Sequence, residues 1–225
     1  ATTTLGSTSF ATPVAFSASG TAWNTQMADL DGDGQKDLLS VSNNAAFLSI
    51  QRNISASTTI SLSTKVDFQL PSNGTGLAFG DIDLDGKVDV VSVNFSTNNV
   101  SMFRNISQVG TLDNSSFATR VDMSVTSGSS LVGLEDLDMD GKPELITISS
   151  TGITATVYRN TSTSGSFSFA TGVTFALHST PRGFTFGDLN NDGKPEMLVT
   201  NLNAVVSVFE NQSTVGTVTL GTRID

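Results

Sequence analysis

The chain has 225 residues, a formal charge of −10 and no cysteine. Without cysteine there is no disulfide, no zinc–thiolate site and no thiol nucleophile, and the acidic balance makes nucleic acid an unfavourable partner. Only 14% of the residues are charged, and Ser, Thr and Gly are abundant, which excludes a coiled coil or helical bundle. No apolar run approaches the roughly 18 residues of a membrane span.

The first predicted repeat covers residues 17–68. Strand A runs up to Ala28, an acidic loop follows, and strand B is the apolar run LLSVS that starts at Leu38. Strand C ends at Arg52, and strand D is the run LSTKVDF that starts at Leu62. Each run is short, contains β-branched or aromatic residues and is bounded by Gly, Ser, Thr or Asn, which is typical of strands joined by turns.

The same four elements recur in residues 69–123, 124–175 and 176–225. The first aspartate of the acidic loop stands at 29, 81, 136 and 188, which gives intervals of 52, 55 and 52 residues. Four short strands in a unit of this length are typical of a propeller blade. The predicted fold class is all-β, a β-propeller built of four-stranded antiparallel blades, with four blades encoded in this chain. A β-sandwich or a solenoid of similar strands is the alternative.

Strand D has one copy more than the other strands. The run FATPVAF at 10–16 precedes the first repeat, and LGTRID ends the chain at Asp225. Residues 8–16 are therefore predicted to form a surplus outer strand of a blade that precedes Ala1. This count favours a piece of a seven- or eight-bladed ring, or a half-ring that pairs with a second copy as a homodimer. A closed four-bladed ring is the third option.

Fifteen of the 21 acidic residues lie in four clusters with the same internal spacing. The aligned loops read DLDGDGQKD, DIDLDGKVD, DLDMDGKPE and DLNNDGKPE. Carboxylates packed so closely repel one another unless a cation neutralises them. Solvated turns, which Asp and Gly also favour, are the alternative, but they do not explain four copies of one spacing. Four divalent ions would bring the formal charge from −10 to −2.

Side-chain oxygens fall at loop positions 1, 3, 5 and 9, and position 6 is always glycine. Glycine permits a sharp turn there, and the turn lets the carbonyl of position 7 face an ion. Hard oxygens without His or Cys favour Ca²⁺ over zinc or copper, and the number of carboxylates favours it over magnesium. We expect about four Ca²⁺ ions, one per repeat. The predicted ligands are Asp29, Asp31, Asp33, Gln35, Asp37, Asp81, Asp83, Asp85, Lys87, Asp89, Asp136, Asp138, Asp140, Lys142, Glu144, Asp188, Asn190, Asp192, Lys194 and Glu196, with Gln35 and the three lysines acting through their carbonyls.

These loops match only the first half of an EF-hand loop. Position 12, which would need a bidentate Glu, holds Ser40, Ser92, Thr147 and Val199. Short β-type runs follow each loop instead of helices, so the loops are predicted to join two strands. The fourth loop, with Asn190, is the least acidic, and its affinity is expected to differ.

The motif D-x-[DN]-x-D-G-x-x-[DE], present four times, resembles the FG-GAP/VCBS repeat family of calcium-binding propeller blades. Phe79-Gly80-Asp81 and Phe186-Gly187-Asp188 match the Phe-Gly-Asp lead-in of that family, whereas Met27-Ala28-Asp29 and Leu134-Glu135-Asp136 depart from it. The resemblance covers nearly the whole chain. It implies blades like those of integrin α-subunits, of many secreted bacterial proteins and of some lectins, and it leaves the activity open because the fold hosts many functions.

Ligand contacts are expected on the rim opposite the acidic loops, where the D–A loops vary most between repeats. Trp23 is assigned to one such loop, and His178 and Arg182 to another. These three residues are the predicted ligand-binding residues. Trp23 could stack on a sugar ring or cap the core between blades, and Arg182 could be a surface charge only.

The sequence contains no convincing catalytic set, so the chain is predicted not to be an enzyme. Calcium sites of extracellular modules bind with dissociation constants of about 0.1–1 mM and fill outside the cell, which favours a secreted or cell-surface location. The predicted function is a non-enzymatic, lectin-like binding or adhesion module for a carbohydrate or protein. The alternatives are the propeller portion of a secreted polysaccharide-degrading enzyme and a structural spacer in an adhesin.

Overall fold

The structure is a computed structural model that describes residues 12–57 and 59–225. The strands form four antiparallel sheets, each made of consecutive strands in chain order, which confirms the all-β prediction. The described residues contain one 3-10 turn, Phe95–Thr97, and no α-helix. No helix in this part of the chain has the length and apolarity to cross a membrane.

Each sheet takes its strands from one stretch of about fifty residues. Sheet 1 contains β1 (Ala22–Ala28), β2 (Asp37–Ser42), β3 (Phe47–Gln51) and β4 (Val66–Gln69). Sheet 2 contains β5 (Gly74–Gly80), β6 (Asp89–Asn94), β7 (Asn99–Phe103) and β8 (Val121–Ser124). Sheet 3 contains β9 (Ser129–Glu135), β10 (Glu144–Ser149), β11 (Thr154–Tyr158) and β12 (Val173–Ala176). Sheet 4 contains β13 (Pro181–Gly187), β14 (Glu196–Asn201) and β15 (Val206–Phe209).

The last residues of the chain complete sheet 4 through single bridges. Ile224 pairs with Val208, so LGTRID lies where the other sheets have their fourth strand. The hydroxyl of Ser207 donates to Asp225 at 2.5 Å, as Ser49 donates to Asp67 at 2.6 Å in sheet 1. The predicted surplus strand at 8–16 lies partly outside the described residues, and its described part, 12–16, forms no strand.

The second strand of each sheet is its most buried element. All six residues of β6 and of β10 are buried, whereas the fourth strands β8 and β12 are mostly exposed. A strand that is covered on both faces has apolar residues at consecutive positions. This explains why VVSV of β6 and LITI of β10 do not alternate strictly between apolar and polar residues. Each inner sheet is therefore covered on both faces.

The hydrophobic core lies between consecutive sheets. Leu39 of sheet 1 and Val90 of sheet 2 belong to one cluster, while the next residue, Val91, belongs to the cluster shared with sheet 3. Ile146 of sheet 3 and Met197 of sheet 4 belong to the third cluster. Because adjacent residues of a strand face opposite sides, each inner sheet contributes to two cores.

The first strands of the four sheets face a common cavity of about 380 Å³, lined by residues of β1, β5, β9 and β13. Their approach is close enough to restrict side-chain size. A Cβ at Gly133 of β9 would lie 2.7 Å from the ring of Phe184 on β13. The fold thus brings the first strands together and leaves the fourth strands at the outer edge.

Candidate metal centres

Each acidic loop connects the first strand of a sheet to the second. The loops lie at 29–36, 81–88, 136–143 and 188–195, so position 9 is the first residue of the second strand. All four loops are at the same end of their sheets because every sheet has the same strand order. The predicted strand–loop–strand setting of the acidic motif is therefore correct.

The glycine at position 6 is required by its backbone angle. Its φ is 87° to 89° in all four loops, at Gly34, Gly86, Gly141 and Gly193. A Cβ at any of these glycines would have no atom within 4 Å, so space is not the reason for glycine. L-residues with a side chain adopt this left-handed region only with strain.

Position 4 is also left-handed, which sequence reasoning missed. Its φ is 71° at Gly32, 57° at Leu84, 62° at Met139 and 61° at Asn191. These four residue types share no property that would signal the conformation. Leu84 and Met139 tolerate a strained angle, and about half of each side chain is exposed.

In each loop, backbone N–H groups donate to the side-chain oxygens of positions 1, 3 and 5. In the second loop, Asp81 accepts the N–H of Asp85 at 3.1 Å and that of Gly86 at 2.9 Å. Asp83 also accepts the N–H of Asp85, and Asp85 accepts that of Lys87 at 3.0 Å. The chain thus wraps around its own acidic side chains.

Three of the loops bring carboxylates into clusters whose ligand atoms lie within 4.8 Å of one another. The clusters are formed by positions 1, 3 and 5 in the first two loops and by positions 1, 3 and 9 in the third. The donor set is all oxygen and partly buried, which fits a hard divalent cation such as Ca²⁺. The members are Asp29, Asp31 and Asp33; Asp81, Asp83 and Asp85; and Asp136, Asp138 and Glu144.

The fourth loop repeats the local geometry with one carboxylate fewer. Asp188 accepts the N–H groups of Asp192 and Gly193, and the Asn190 side chain accepts that of Asp192 at 3.0 Å. Asp188, Asn190 and Asp192 are all exposed, whereas the position-3 aspartates of the other loops are buried. Of the four loops, this one therefore provides the weakest electrostatic attraction for a cation.

The position-7 lysines direct their ammonium groups away from the carboxylates. Lys87 donates to the carbonyl of Ser107 at 2.8 Å, Lys142 to that of Ser162 at 2.9 Å, and Lys194 to that of Ser213 at 2.7 Å. The lysine side chains therefore tie the acidic loop to the third-to-fourth-strand loop of the same sheet. Gln35 holds the corresponding place in the first loop, where its N–H donates to Asp33.

The carboxylate at position 9 of each motif also accepts hydrogen bonds from the backbone. Asp89 is fully buried and accepts the N–H groups of Ile82 at 3.0 Å and Asn105 at 2.8 Å. The pKa of Asp89 is raised to about 7, mainly by burial and also by the charges of Asp83 and Asp85, although the two backbone hydrogen bonds oppose the rise. A nearby cation would relieve both the desolvation and the repulsion.

The same environment recurs at the other position-9 residues. Burial raises the pKa of Glu144 to about 7 and also raises that of Asp37. Glu196 is buried and accepts the N–H of Leu189 at 2.7 Å. These side chains link the acidic loop to the end of the third strand whether or not they also bind an ion.

Arg52, which the sequence analysis used only to mark the end of strand C, contacts the carboxylates of the first acidic loop. Its guanidinium donates to Asp31 and Asp33 of the first loop, and the hydrogen bond to Asp31 raises the pKa of Arg52. Arg104, the equivalent residue of sheet 2, is 3.9 Å from Asp85. The regular position of the arginine after strand C was the signal that could have revealed it.

Sheets 2, 3 and 4 each form hydrogen bonds with the acidic loop of the preceding sheet. The side-chain amides of Asn105, Asn160 and Asn211 donate to the position-2 carbonyls of Leu30, Ile82 and Leu137 at 2.7 to 2.9 Å. The N–H of Gly165 donates to Asp83 at 2.6 Å, and that of Gly216 to Asp138 at 3.0 Å. The first three centres thus lie at junctions between sheets.

The remaining predicted ligand residues lie away from the acidic loops and are not brought together. Trp23 is on β1 and Arg182 on β13, so their assignment to loops was wrong. Trp23 is 61% exposed, so it does not cap a core between the four sheets described. His178 is in the loop before β13, and its Nδ1 lies 2.8 Å from a carboxylate oxygen of Asp225.

A family model described as FG-GAP-like repeat matches three overlapping segments, 29–92, 81–147 and 136–199. Each segment starts at the first aspartate of one acidic loop and ends in the second strand of the next sheet. A comparison with curated proteins finds no match.

Proposed function

The chain belongs to the FG-GAP repeat family, whose model covers residues 29–199, and from this we propose that its four sheets are blades of a calcium-stabilised β-propeller that serves as a binding module. The observation that carries the proposal is the recurrence of one carboxylate cluster at successive sheet junctions. Family membership alone would not identify an activity.

A radial arrangement of the sheets is supported by three repeated features. The first strands surround one cavity, the cores lie between consecutive sheets, and the Asn-to-carbonyl contact occurs at each of the three junctions. The described residues form no such contact between sheet 4 and sheet 1. Leu189 of the fourth loop is 57% exposed, whereas its counterparts Leu30, Ile82 and Leu137 are at most 2% exposed.

We take the four sheets to be an open arc that further blades complete. Asn53 of sheet 1 is only half-buried, while its counterparts Asn105, Asn160 and Asn211 are buried. Sheet 1 therefore has an asparagine donor with no preceding sheet to contact, and sheet 4 has a position-2 residue that no following sheet covers. Because sheet 4 and sheet 1 do not form this junction with each other, we favour a larger ring, completed by more repeats or by a second copy, over a closed four-bladed ring.

Calcium is the cation that the donor set favours. At dissociation constants of about 0.1–1 mM and extracellular concentrations near 1–2 mM, each ion would contribute on the order of 1 kcal/mol. Several such sites matter against a total stability of about 5–15 kcal/mol. Sites of this strength fill outside the cell, which supports a secreted or cell-surface location.

The functional surface of a calcium-supported scaffold is expected on the rim opposite the acidic loops. We propose that this rim binds a carbohydrate or protein without catalysing a reaction, as in an adhesion or lectin-like module. On this view the ions hold the blades in register and do not contact the ligand.

The calcium part of the proposal is tested by calorimetric titration of the EDTA-treated protein with Ca²⁺ and Mg²⁺. We expect saturable Ca²⁺ binding, weaker Mg²⁺ binding, and a melting temperature that EDTA lowers and Ca²⁺ restores. Asp136→Asn should remove one site, and Asp113→Asn, outside the loops, should remove none. A melting temperature that EDTA leaves unchanged would refute structural calcium.

The binding part is tested separately with a glycan array and a pull-down, each with and without Ca²⁺. Retention of a glycan or protein by the calcium-loaded protein would support the binding module. Absence of any ligand in both assays would favour a purely structural role.

A further inference from the structure

A pocket of about 260 Å³ opens at the end of the sheets opposite the acidic loops. The residues that line it include two aromatic residues, Trp23 and Phe95, and two with amide side chains, Asn43 and Asn73. Hydroxyl-bearing residues, among them Thr75 and Ser130, complete the lining, which contains no ionisable side chain.

Three of the lining residues occupy one repeated structural position. Each first strand carries a bulge near its start, where one residue is left without a partner in the register. A bulge turns the side chain of its extra residue away from the regular alternation. The extra residues are Trp23, Thr75, Ser130 and Arg182 in sheets 1 to 4.

The same β-bulge therefore carries a different residue in each of the four sheets, at the same end of the sheet. The bulge residues of sheets 1, 2 and 3 line this pocket, whereas Arg182 of sheet 4 does not. A fixed backbone position with varied side chains is how a repeated scaffold acquires a specific surface. Trp23 is 61% exposed and Phe95 is 38% exposed, so both rings are open to a ligand.

Hydrogen bonds hold the walls of the pocket in place. The N–H of Asn43 donates to the carbonyl of Thr21 at 3.1 Å, and the N–H of Phe95 donates to that of Asn73 at 3.3 Å. The hydroxyl of Thr75 donates to the carbonyl of Ser130 at 3.0 Å, which joins sheets 2 and 3. A pocket built from three sheets and fixed in this way loses little entropy when a ligand binds.

We propose that this pocket binds one neutral sugar ring, with the indole of Trp23 stacked against its C–H face and the amides of Asn43 and Asn73 bonded to its hydroxyls. The inference rests on the proposed binding function and assigns it a site and a ligand class. An indole offers a flat apolar face, and each side-chain amide offers both a donor and an acceptor. An anionic sugar or a phosphate would require a cationic side chain in the lining.

The size of the pocket sets the size of the ligand. Sites for drug-sized molecules have volumes of roughly 300–1,000 Å³, and this pocket is smaller, so a single ring is accommodated. Few contacts are available to so small a ligand, and we expect a dissociation constant of about 1 mM.

The experiment uses the fact that Trp23 is the only tryptophan. The fluorescence of the calcium-loaded protein is titrated with methyl glycosides of glucose, galactose, mannose and N-acetylglucosamine, and with glucuronate as an anionic control. We expect a saturable change with at least one neutral glycoside and none with glucuronate. No saturable change with any neutral sugar, or an equal response to glucuronate, would overturn the proposal.

Two variants test the location of the site. Asn73→Ala should weaken binding about tenfold without changing the circular dichroism spectrum. Asn203→Ala is the control, because Asn203 lies in the sheet-4 loop that corresponds to the loop of Asn43 but is outside the lining, and it should leave binding unchanged. Equal losses in both variants, or no loss in the first, would overturn the assignment. If Asn73→Ala misfolds, Asn43→Ala decides in the same assay.

Two further measurements separate this inference from the proposed function. If EDTA neither lowers the melting temperature nor abolishes sugar binding, the calcium proposal fails and the pocket stands. If calcium stabilises the protein and no sugar binds, the pocket alone fails. A fluorescence change that depends on protein concentration and not on sugar would show that Trp23 lies in a protein interface and would overturn the sugar site.

Discussion

At the scale of single residues, conformation and charge determine what each position of an acidic loop accepts. Position 6 needs glycine because of a left-handed angle near 88°, even though a Cβ there would meet no atom within 4 Å. Position 9 needs an acceptor with two oxygens because it receives two backbone N–H groups in a buried place, as Asp89 does. These two requirements can be tested independently.

Replacing the position-6 glycine should cost stability through strain alone. We expect Gly86→Ala to lower the free energy of unfolding by about 1–2 kcal/mol, the cost of a left-handed alanine, as measured by urea denaturation. Gly187→Ala is the matched control, because that glycine also has open space around its Cβ position but has no positive φ. Equal losses in the two variants would contradict the conformational explanation.

The buried carboxylates should make the calcium-free protein less stable as the pH rises. The pKa values of Asp89 and Glu144 are about 7 in the folded protein, against 3.8 and 4.5 as their ordinary values. Between about pH 4 and 7 the folded state therefore holds protons that the unfolded state releases, and stability falls with increasing pH. Each pKa unit corresponds to about 1.4 kcal/mol.

Urea denaturation in EDTA at pH 5, 6, 7 and 8 measures this dependence. We expect the free energy of unfolding to be highest near pH 5, and added Ca²⁺ to reduce or reverse the decline because a cation favours the ionised form. A free energy that rises from pH 5 to pH 7.5 in EDTA would show that these carboxylates are not desolvated.

At the scale of elements, the strands could be predicted because their pattern is local. The apolar runs after each loop became β2, β6, β10 and β14, and LGTRID took the fourth-strand place in sheet 4. The bulge at Trp23 could not be predicted, since a bulge is a property of pairing with a neighbouring strand. The contact of Arg52 with the first loop depends likewise on tertiary structure.

The asparagine at the end of the third strand links one sheet to the preceding one. Asn160 is fully buried and donates to the carbonyls of Ile82 and Pro143, both at 2.9 Å. Asn160→Ala would remove the partner of the buried Ile82 carbonyl and of the half-buried Pro143 carbonyl, so we expect it to cost about 2–4 kcal/mol in the free energy of unfolding.

The equivalent residue of sheet 1 is the control for that variant. Asn53 is half-buried, and its side-chain amide donates to the carbonyl of Lys36 at 3.1 Å within the same sheet. Asn53→Ala should therefore cost about 1 kcal/mol. Both variants are measured by chemical denaturation. Equal losses in the free energy of unfolding would mean that the hydrogen bond from Asn160 to the Ile82 carbonyl adds no stability of its own.

At the scale of the whole molecule, the four sheets form a series in which each contacts its neighbours. The three junctions share one set of contacts, and the position-2 residue of the loop is buried at each of them. Calcium at a junction would bind residues that the next sheet also contacts, such as Asp83, which accepts the N–H of Gly165. Ion binding and sheet packing should therefore stabilise each other.

The exposed ends of this series predict association in solution. Leu189 occupies the position that is buried at every internal junction, and Asn53 occupies the place of the donor at the opposite end. A heterologous contact between two copies would repeat the internal junction and close a ring if the rotation permits. We expect sedimentation equilibrium in Ca²⁺ to give a mass that increases above 23.4 kDa with concentration.

Leu189→Asp should lower this association, because it places a charge at the centre of the new junction. Val121→Asp is the control, since Val121 is also about half exposed but lies on the outer strand β8 of sheet 2. The effect should be specific to Leu189. A strict monomer at all concentrations would show that neither end of the series is free to pair.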